Sequence, residues 1–254
     1  MAADRPTSSK PPVTGPKLSS PAASAGSEVA AFLAEVAARP PASAAGEARG
    51  RLIFALDATM SRQPTWDLAC TLQAGMFEEA AAIGGLDMQL VYYRGIHECR
   101  ASGWVGDGRR LGALMARIDC RGGRTQIGRV LAHAGSEAER ARIGAVVFVG
   151  DAMEEALDDL CAKAGPLALR GVPVFLFQEG RDPVAERGFR EIARLTGGAW
   201  CRFDAGAAEQ LSALLRAAAR YAAGGRQALT ALANASPGAK QLLAAMSGPK
   251  SGAG

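Results

Sequence analysis

A short apolar run ends in one carboxylate and two hydroxyls in the segment Arg51-Leu-Ile-Phe-Ala-Leu-Asp57-Ala-Thr59-Met-Ser61. An apolar run of this length is typical of a parallel strand that is buried on both faces. The polar side chains that follow it would then lie at the carboxyl end of the strand, where open α/β sheets bind ligands. Because all three groups are oxygen donors, the segment predicts a site for a hard divalent cation, Mg²⁺ or Mn²⁺.

From about residue 50 the chain alternates apolar runs with amphipathic segments, which predicts a doubly wound α/β fold with helices on both faces of a mostly parallel six-stranded sheet. The predicted strands lie near residues 51–57, 87–93, 99–104, 144–149, 172–178 and 199–203. The predicted helices lie near residues 64–82, 108–118, 126–135, 154–164, 183–195 and 206–222. The link between the second and third strands is too short for a parallel crossover, so the third strand should be antiparallel and lie at an edge.

The 254 residues are enough for one domain with tails. Residues 1–27 are rich in Pro, Ser and Ala and should be disordered. Residues 28–49 should form a short helix and a linker, and residues 50–223 should form the α/β domain. The remaining segment, 224–254, follows a Gly-Gly pair and is expected to be a weakly helical or disordered basic tail.

The net charge of +4 is concentrated in the tails, since residues 1–45 carry +1 and residues 224–254 carry +3. The part between them is therefore neutral, which argues against a nucleic acid partner. No run of eighteen apolar residues occurs, and the amino terminus lacks the apolar segment of a secretory signal. We therefore expect a cytoplasmic protein with no membrane partner. Five cysteines without a CxxC pair and only two histidines disfavour a zinc site.

Three separated pieces of sequence belong together in this interpretation. They are the segment Asp57 to Ser61, the segment Gly122-Gly123-Arg124-Thr125, and the pair Gly150-Asp151 after the fourth predicted strand. This arrangement resembles the von Willebrand factor A (VWA) domain, whose metal-ion-dependent adhesion site (MIDAS) has the pattern Asp-x-Ser-x-Ser, then a Thr, then an Asp on a third loop. The resemblance covers about residues 50 to 222.

The resemblance implies a role for each residue of the site. Ser61 and Thr59 would be direct hydroxyl ligands of the metal, and Asp57 would contact it through water or orient the other ligands. Thr125 would be the hydroxyl of the second loop, and Asp151 the carboxylate of the third. Two carboxylates and neutral hydroxyls leave residual positive charge on a divalent ion, which attracts an acidic group of another molecule.

The chain departs from the family pattern at three places. Thr59 replaces the commoner Ser, Arg124 separates the glycine pair from Thr125, and Gly150-Asp151-Ala152 stands where Thr-Asp-Gly is frequent. Each site residue also has an alternative explanation as a helix cap or turn residue at a strand end. The metal-site interpretation depends on all three loops meeting at one edge of the sheet.

The resemblance implies a non-enzymatic, intracellular protein-interaction module whose partner presents an Asp or Glu. In bacteria such domains often act beside an ATPase, a chaperone or a stress-response component. One alternative is a metal-independent scaffold that binds through its terminal helices. Another is a haloacid dehalogenase-like phosphotransferase with Asp57 as nucleophile, but Thr59 stands where that family has a second Asp, and no lysine occurs between residues 17 and 163.

Overall fold

The computed structural model describes residues 49–204 and 207–247. Within these residues one six-stranded sheet is formed by β1 Gly50–Asp57, β2 Leu86–Arg94, β3 Glu98–Ala101, β4 Ala145–Gly150, β5 Val174–Glu179 and β6 Ala199–Phe203. The strand order is β3-β2-β1-β4-β5-β6. Strand β3 is antiparallel to β2, and every other pair is parallel. The predicted fold, with its antiparallel edge strand, is confirmed.

Seven helices accompany the sheet within the described residues. They are α1 Gln63–Ala81, α2 Gly108–Met115, α3 Ile127–Arg140, α4 Leu157–Leu169, α5 Pro183–Thr196, α6 Ala208–Leu232 and α7 Pro237–Met246. A 3₁₀ turn, Met60–Arg62, precedes α1. Asp107, Asp182 and Ser236 cap α2, α5 and α7 by accepting a hydrogen bond from a backbone N–H three residues later. Helix α4 begins at Leu157, three residues later than predicted, and this difference matters at the site.

Strand β1 lies between β2 and β4, where the strand order reverses. Its last residue, Asp57, pairs with Tyr93 of β2. On the other side, a Cβ placed on Gly150 of β4 would lie 3.9 Å from the Cβ of Asp57. The carboxyl ends of these three strands form the kind of crevice at which doubly wound sheets bind ligands.

The side chains of β1 alternate between two hydrophobic cores, because successive residues of a strand point to opposite faces. Leu52, Phe54 and Leu56 pack in the core formed with α1, α2, α6 and α7. Ile53 and Ala55 pack in the core formed with α3, α4 and α5. Burial on both faces explains why the sequence of β1 is a continuous apolar run.

The segment from residue 224 differs from the predicted weakly helical or disordered tail. Helix α6 continues to Leu232 across a break at Gly225, whose φ of 66° favours glycine. Leu229 of α6 and Leu242 of α7 are fully buried in the core on the α1 side. The Gly-Gly pair therefore bends the chain back onto the domain, and the domain extends to α7.

The predictions for residues 1–48, a disordered tail and a short helix, lie outside the described residues. Among the helices that the structure describes, none has the length and apolar character needed to cross a bilayer.

Candidate metal centre

Three loops meet at the end of β1: the loops that follow β1 and β4, and the loop that precedes α3. The backbone N–H of Arg121 donates to the carbonyl of Ala58 at 3.0 Å and joins the α3 loop to the β1 loop. The backbone N–H of Thr125 donates to Oε2 of Glu154 at 2.9 Å and joins the α3 loop to the β4 loop. All five predicted site residues lie on these loops: Asp57, Thr59, Ser61, Thr125 and Asp151.

The loop after β1 presents its oxygen donors from the interior outward. Asp57 is 3% exposed, and its Oδ1 accepts a hydrogen bond from the backbone N–H of Thr59 at 2.7 Å. Oγ1 of Thr59 lies 3.5 Å from Oγ of Ser61, which is exposed. Neither the 3₁₀ turn nor α1 has a side-chain cap. Asp57 therefore stabilises the turn with one oxygen, and the two hydroxyls do not cap a helix.

Thr125 connects the second and third loops through its hydroxyl. Oγ1 donates to Oε2 of Glu155 at 2.7 Å and accepts from the backbone N–H of Glu154 at 2.9 Å. The other oxygen of Glu155 accepts from the N–H of Gly128 at 3.0 Å, in the first turn of α3. Thr125 is therefore not the cap of α3, because Glu155 reaches that helix end instead. A hydroxyl has two lone pairs, so Thr125 retains one for a metal.

The backbone of the second loop approaches the β2–β3 turn closely. The N–H of Arg124 donates to the carbonyl of Gly95 at 3.0 Å. A Cβ on Gly123 would lie only 2.1 Å from the same carbonyl oxygen, so this close approach requires glycine. Arg124, which departs from the family pattern, thus anchors the loop through its backbone, while its side chain is exposed.

Asp151 faces a buried arginine that the sequence analysis did not consider. Oδ2 of Asp151 lies 3.7 Å from Nη1 of Arg62, which is 3% exposed. The same Nη1 forms an ion pair with Oε2 of Glu179, at the end of β5, and the hydroxyl of Thr65 donates to that oxygen. Because α4 begins only at Leu157, after a residue that makes no side-chain cap, Asp151 is not a helix cap.

Burial and neighbouring negative charge raise the pKa values of two groups in the interior of the site. Burial raises the pKa of Asp57, and the nearby charge of Asp151 raises it further, against the hydrogen bonds from Thr59. Burial, followed by the charge of Asp57, raises the pKa of Tyr93 well above its usual value. The fully buried hydroxyl of Tyr93 faces the carboxylate of Asp57, which raises its pKa both as a charge and as a hydrogen-bond acceptor, but the two groups do not form a hydrogen bond of good geometry. A cation near Asp57 and Asp151 would relieve this excess of negative charge.

Cys120 also lies close enough to Asp57 for the charge of that carboxylate to affect its thiol. Burial, with the charge of Asp57 as the next cause, raises the pKa of the Cys120 thiol to about 11. The thiol is protonated at neutral pH, and a sulfur is in any case a poor ligand for a hard cation such as Mg²⁺. The donors that the five predicted site residues offer are oxygens only.

The donor set fits a Mg²⁺ or Mn²⁺ ion. Adjacent ligands of an octahedral ion with metal–oxygen distances near ~2.1 Å lie about 3 Å apart, close to the 3.5 Å between the hydroxyls of Thr59 and Ser61. Within the part of the chain that the structure describes, no three His, Cys, Asp or Glu side chains are grouped to hold a metal. The predicted site therefore depends on hydroxyls as ligands, as a MIDAS does.

Sequence reasoning missed four residues beside the site: Arg62, Tyr93, Glu155 and Glu179. Glu179 carries the same signal as Asp57, a carboxylate at the end of an apolar strand. Glu155 fell within the helix predicted near residues 154–164, and Tyr93 within the strand predicted near residues 87–93. Arg62 had no local signal, because its two carboxylate partners come from distant strands.

No known family model matches the chain, and no curated protein matches it. Several solved structures do match the chain. The human COPII-coat protein Sec24c is 13% identical with a TM-score of 0.53, covering 69% of this chain and 32% of that one. Proximal thread matrix protein 1 of the mussel byssus is 17% identical with a TM-score of 0.54, covering 69% and 48%. The SpRpn10 VWA domain is 11% identical with a TM-score of 0.50, covering 63% and 90%.

These comparisons define a class of fold. The chain has a VWA-like fold, and it spans about a third of Sec24c and about half of the byssus protein. At these low identities the likeness concerns the fold alone.

Proposed function

We propose that this chain is a non-enzymatic protein-interaction module that binds an acidic side chain of a partner through a divalent metal, Mg²⁺ or Mn²⁺, at a MIDAS. The observation that supports it best is the meeting of three loops at the end of β1, which groups Asp57, Thr59 and Ser61 with Asp151. When bound, the metal supplies an open coordination position with residual positive charge for a partner's Asp or Glu. The resemblance suggests an ATPase, a chaperone or a stress-response component as that partner.

The charges of the site support a metal as intermediary. Four carboxylates lie at the site, and among the described residues one buried guanidinium, that of Arg62, opposes them: Asp57, Asp151, Glu155 and Glu179. An acidic partner would be repelled from such a surface without a cation, since like charges brought together cost free energy. The proposal therefore makes partner binding dependent on the metal.

The first experiment is a titration of the full chain with Mn²⁺, followed by electron paramagnetic resonance. We expect saturable binding at one site, and loss of that binding in Asp57→Ala/Ser61→Ala. The matched control is Asp159→Ala/Ser136→Ala, which removes the same groups from exposed helix positions and should bind like the wild type. Absence of Mn²⁺ binding by the wild type, also with added acetate to complete the coordination sphere, would contradict the proposal.

The scaffold alternative needs a modified test. Deletion of residues 224–254 would remove Leu229 and Leu242 from the core and unfold the domain, so only residues 1–45 can be deleted. Partner capture that survives Ser61→Ala but is lost on this deletion would favour the scaffold. Metal-dependent hydrolysis of a generic phosphate ester, abolished in Asp57→Asn, would favour the phosphotransferase instead.

A further inference from the structure

Arg62 follows the last hydroxyl of the Asp57–Ser61 segment directly, and its guanidinium lies between two carboxylates of different strands. Nη1 is 3.7 Å from Oδ2 of Asp151, and it is closer still to Oε2 of Glu179. The side chain of Arg62 is 3% exposed, whereas those of Asp151 and Glu179 are 32% and 12% exposed. The arginine is therefore the most deeply buried of the three charges.

This ion pair is poorly built for stabilising the fold. Nε and Nη2 of Arg62 are buried, and neither has a hydrogen-bond partner among the described residues. A buried pair stabilises a protein only when its remaining donors are satisfied, because desolvation of both charges is otherwise not offset. A guanidinium stays protonated at every ordinary pH. Arg62 thus places a permanent positive charge beside Asp151 at a cost in stability.

The same carboxylate is the predicted metal ligand of the third loop. A divalent ion near Asp57, Ser61 and Asp151 and the guanidinium of Arg62 would both be attracted to Asp151. Glu179 and Thr65 hold Arg62 from the other side, since the Thr65 hydroxyl and Nη1 of Arg62 share one oxygen of Glu179. Glu179 therefore limits how strongly Arg62 competes.

We infer that Arg62 is a built-in counter-ion of the metal-free site, which competes with the divalent ion for Asp151 and so sets the metal affinity of the site. The competition rests on the proposed function, whereas the pairing of Arg62 with Asp151 in the metal-free protein does not. In this account Glu179 is a positioning residue that draws the guanidinium away from Asp151.

The direct test compares the Mn²⁺ affinity of the wild type with that of Arg62→Gln and Glu179→Gln. Removal of the competing cation should tighten Mn²⁺ binding on the order of tenfold, a difference of ~1.4 kcal/mol. Loss of Glu179 should weaken it, because the guanidinium is then shared with one carboxylate fewer. Arg109→Gln is the control: it removes an exposed arginine in the first turn of α2, outside the three loops of the site, and should change the affinity less than about twofold, since solvent screens its charge. Unchanged or weaker binding in a folded Arg62→Gln would overturn the inference.

Arg62→Gln leaves Glu179 buried without its partner, so a second comparison guards against misfolding. In Arg62→Gln/Glu179→Gln both charges are absent, and this variant should bind Mn²⁺ more tightly than Glu179→Gln alone. Equal binding by these two variants would count against a competing role for Arg62.

A readout without metal separates this inference from the proposed function. In urea unfolding of the metal-free protein, Asp151→Asn should shift the midpoint less favourably in the wild type than in Arg62→Gln, because only the wild type loses the pairing of Asp151 with Arg62. If this coupling is present and no variant binds Mn²⁺, the pairing of Arg62 with Asp151 in the metal-free protein is supported and the proposed metal function fails. If Mn²⁺ binds equally in all variants and the coupling is zero, the proposed function survives and the counter-ion is refuted.

Discussion

The side chains of Gln178 on β5 and Tyr93 on β2 point to the same face of the sheet, and both are fully buried. Their polar atoms differ in hydrogen bonding. Nε2 of Gln178 donates to the carbonyl of Asp182 at 2.8 Å, and Oε1 accepts from the indole of Trp200 at 2.9 Å. The hydroxyl of Tyr93 lies by the carboxylate of Asp57 without a hydrogen bond of good geometry. Because buried polar groups are nearly always paired, the polar contacts of Gln178 at the β5–β6 end are complete without a ligand, whereas those of Tyr93 at the β2–β1–β4 end are not.

The largest effect should come from breaking the completed end. Gln178→Leu keeps the side-chain volume but leaves the Trp200 indole without its partner, and it removes one of the two hydrogen bonds of the Asp182 carbonyl, which keeps the bond from the N–H of Glu186. We expect a loss of about 2–3 kcal/mol in the free energy of unfolding, measured by urea denaturation.

Tyr93→Phe is the matched variant at the other end of the sheet. It removes a buried hydroxyl that makes no hydrogen bond of good geometry, so it should change the stability of the metal-free protein by less than about 1 kcal/mol, or raise it. Similar losses in the two variants would show that the two ends do not differ in the way described.

The apolar character of β1 was sufficient to predict its burial on both faces, and the short link at Gly95 was sufficient to predict the antiparallel edge strand. These features are local: strand length, alternation and loop length are read directly from neighbouring residues. The helical character of the segment from residue 224 was one of the two predicted alternatives, but its packing was not predicted, because its contacts through Leu229 and Leu242 are with residues far along the chain.

The loops of the candidate site were predicted, but their internal bonding was not. That Asp57 and Asp151 follow neighbouring parallel strands was enough to place them at one sheet edge. The carboxylates of Glu155 and Glu179 depend on where α4 starts and on which strand lies next to β4, and single residues give little information on either. The role of Arg62 is an ion pair across the sheet, which no spacing in the sequence reveals.

Asp57→Asn tests the effect of the buried charge at the end of β1. The amide keeps the oxygen that accepts from the Thr59 N–H but removes a buried charge next to Asp151. We expect the metal-free variant to be more stable than the wild type by about 1 kcal/mol at neutral pH. With saturating Mn²⁺ the order should reverse, because only the wild type gains stability from binding.

Because the pKa of Asp57 is raised, the stability difference between the wild type and Asp57→Asn should change with pH in a definite direction. In the folded state the carboxyl binds its proton more strongly than its ordinary pKa of 3.8 allows. The wild type therefore loses stability as the pH rises from about 4 through the folded pKa, and the variant does not. Thermal unfolding at several pH values should show the two proteins converging at acid pH. A constant difference between them would mean that burial does not act on the charge of Asp57.

The smallest effect should come from His133 of α3, which contacts the buried amide of Gln89. Nε2 of His133 lies 2.9 Å from Oε1 of Gln89, whose Nε2 donates to the carbonyl of Ser102 at 3.0 Å. Burial lowers the pKa of His133; Arg140 acts in the same direction and Glu137 opposes them. Since the folded pKa is below the ordinary value of 6.5, the stability is complete above that pH and decreases as the pH falls through the folded pKa.

Between about pH 7.5 and pH 5 the wild type should lose less than about 1 kcal/mol through this half-buried group, and His133→Gln should remove most of that slope. Differential scanning calorimetry of both proteins would measure it, and equal slopes would assign the pH dependence to other groups. The sign is opposite to that of Asp57: acid adds an unfavourable charge to the half-buried His133, whose Nε2–H still donates to Gln89, whereas it removes the buried negative charge at the end of β1. The two pH profiles together therefore distinguish a buried base with a completed polar contact from a buried carboxylate that lies beside a second negative charge.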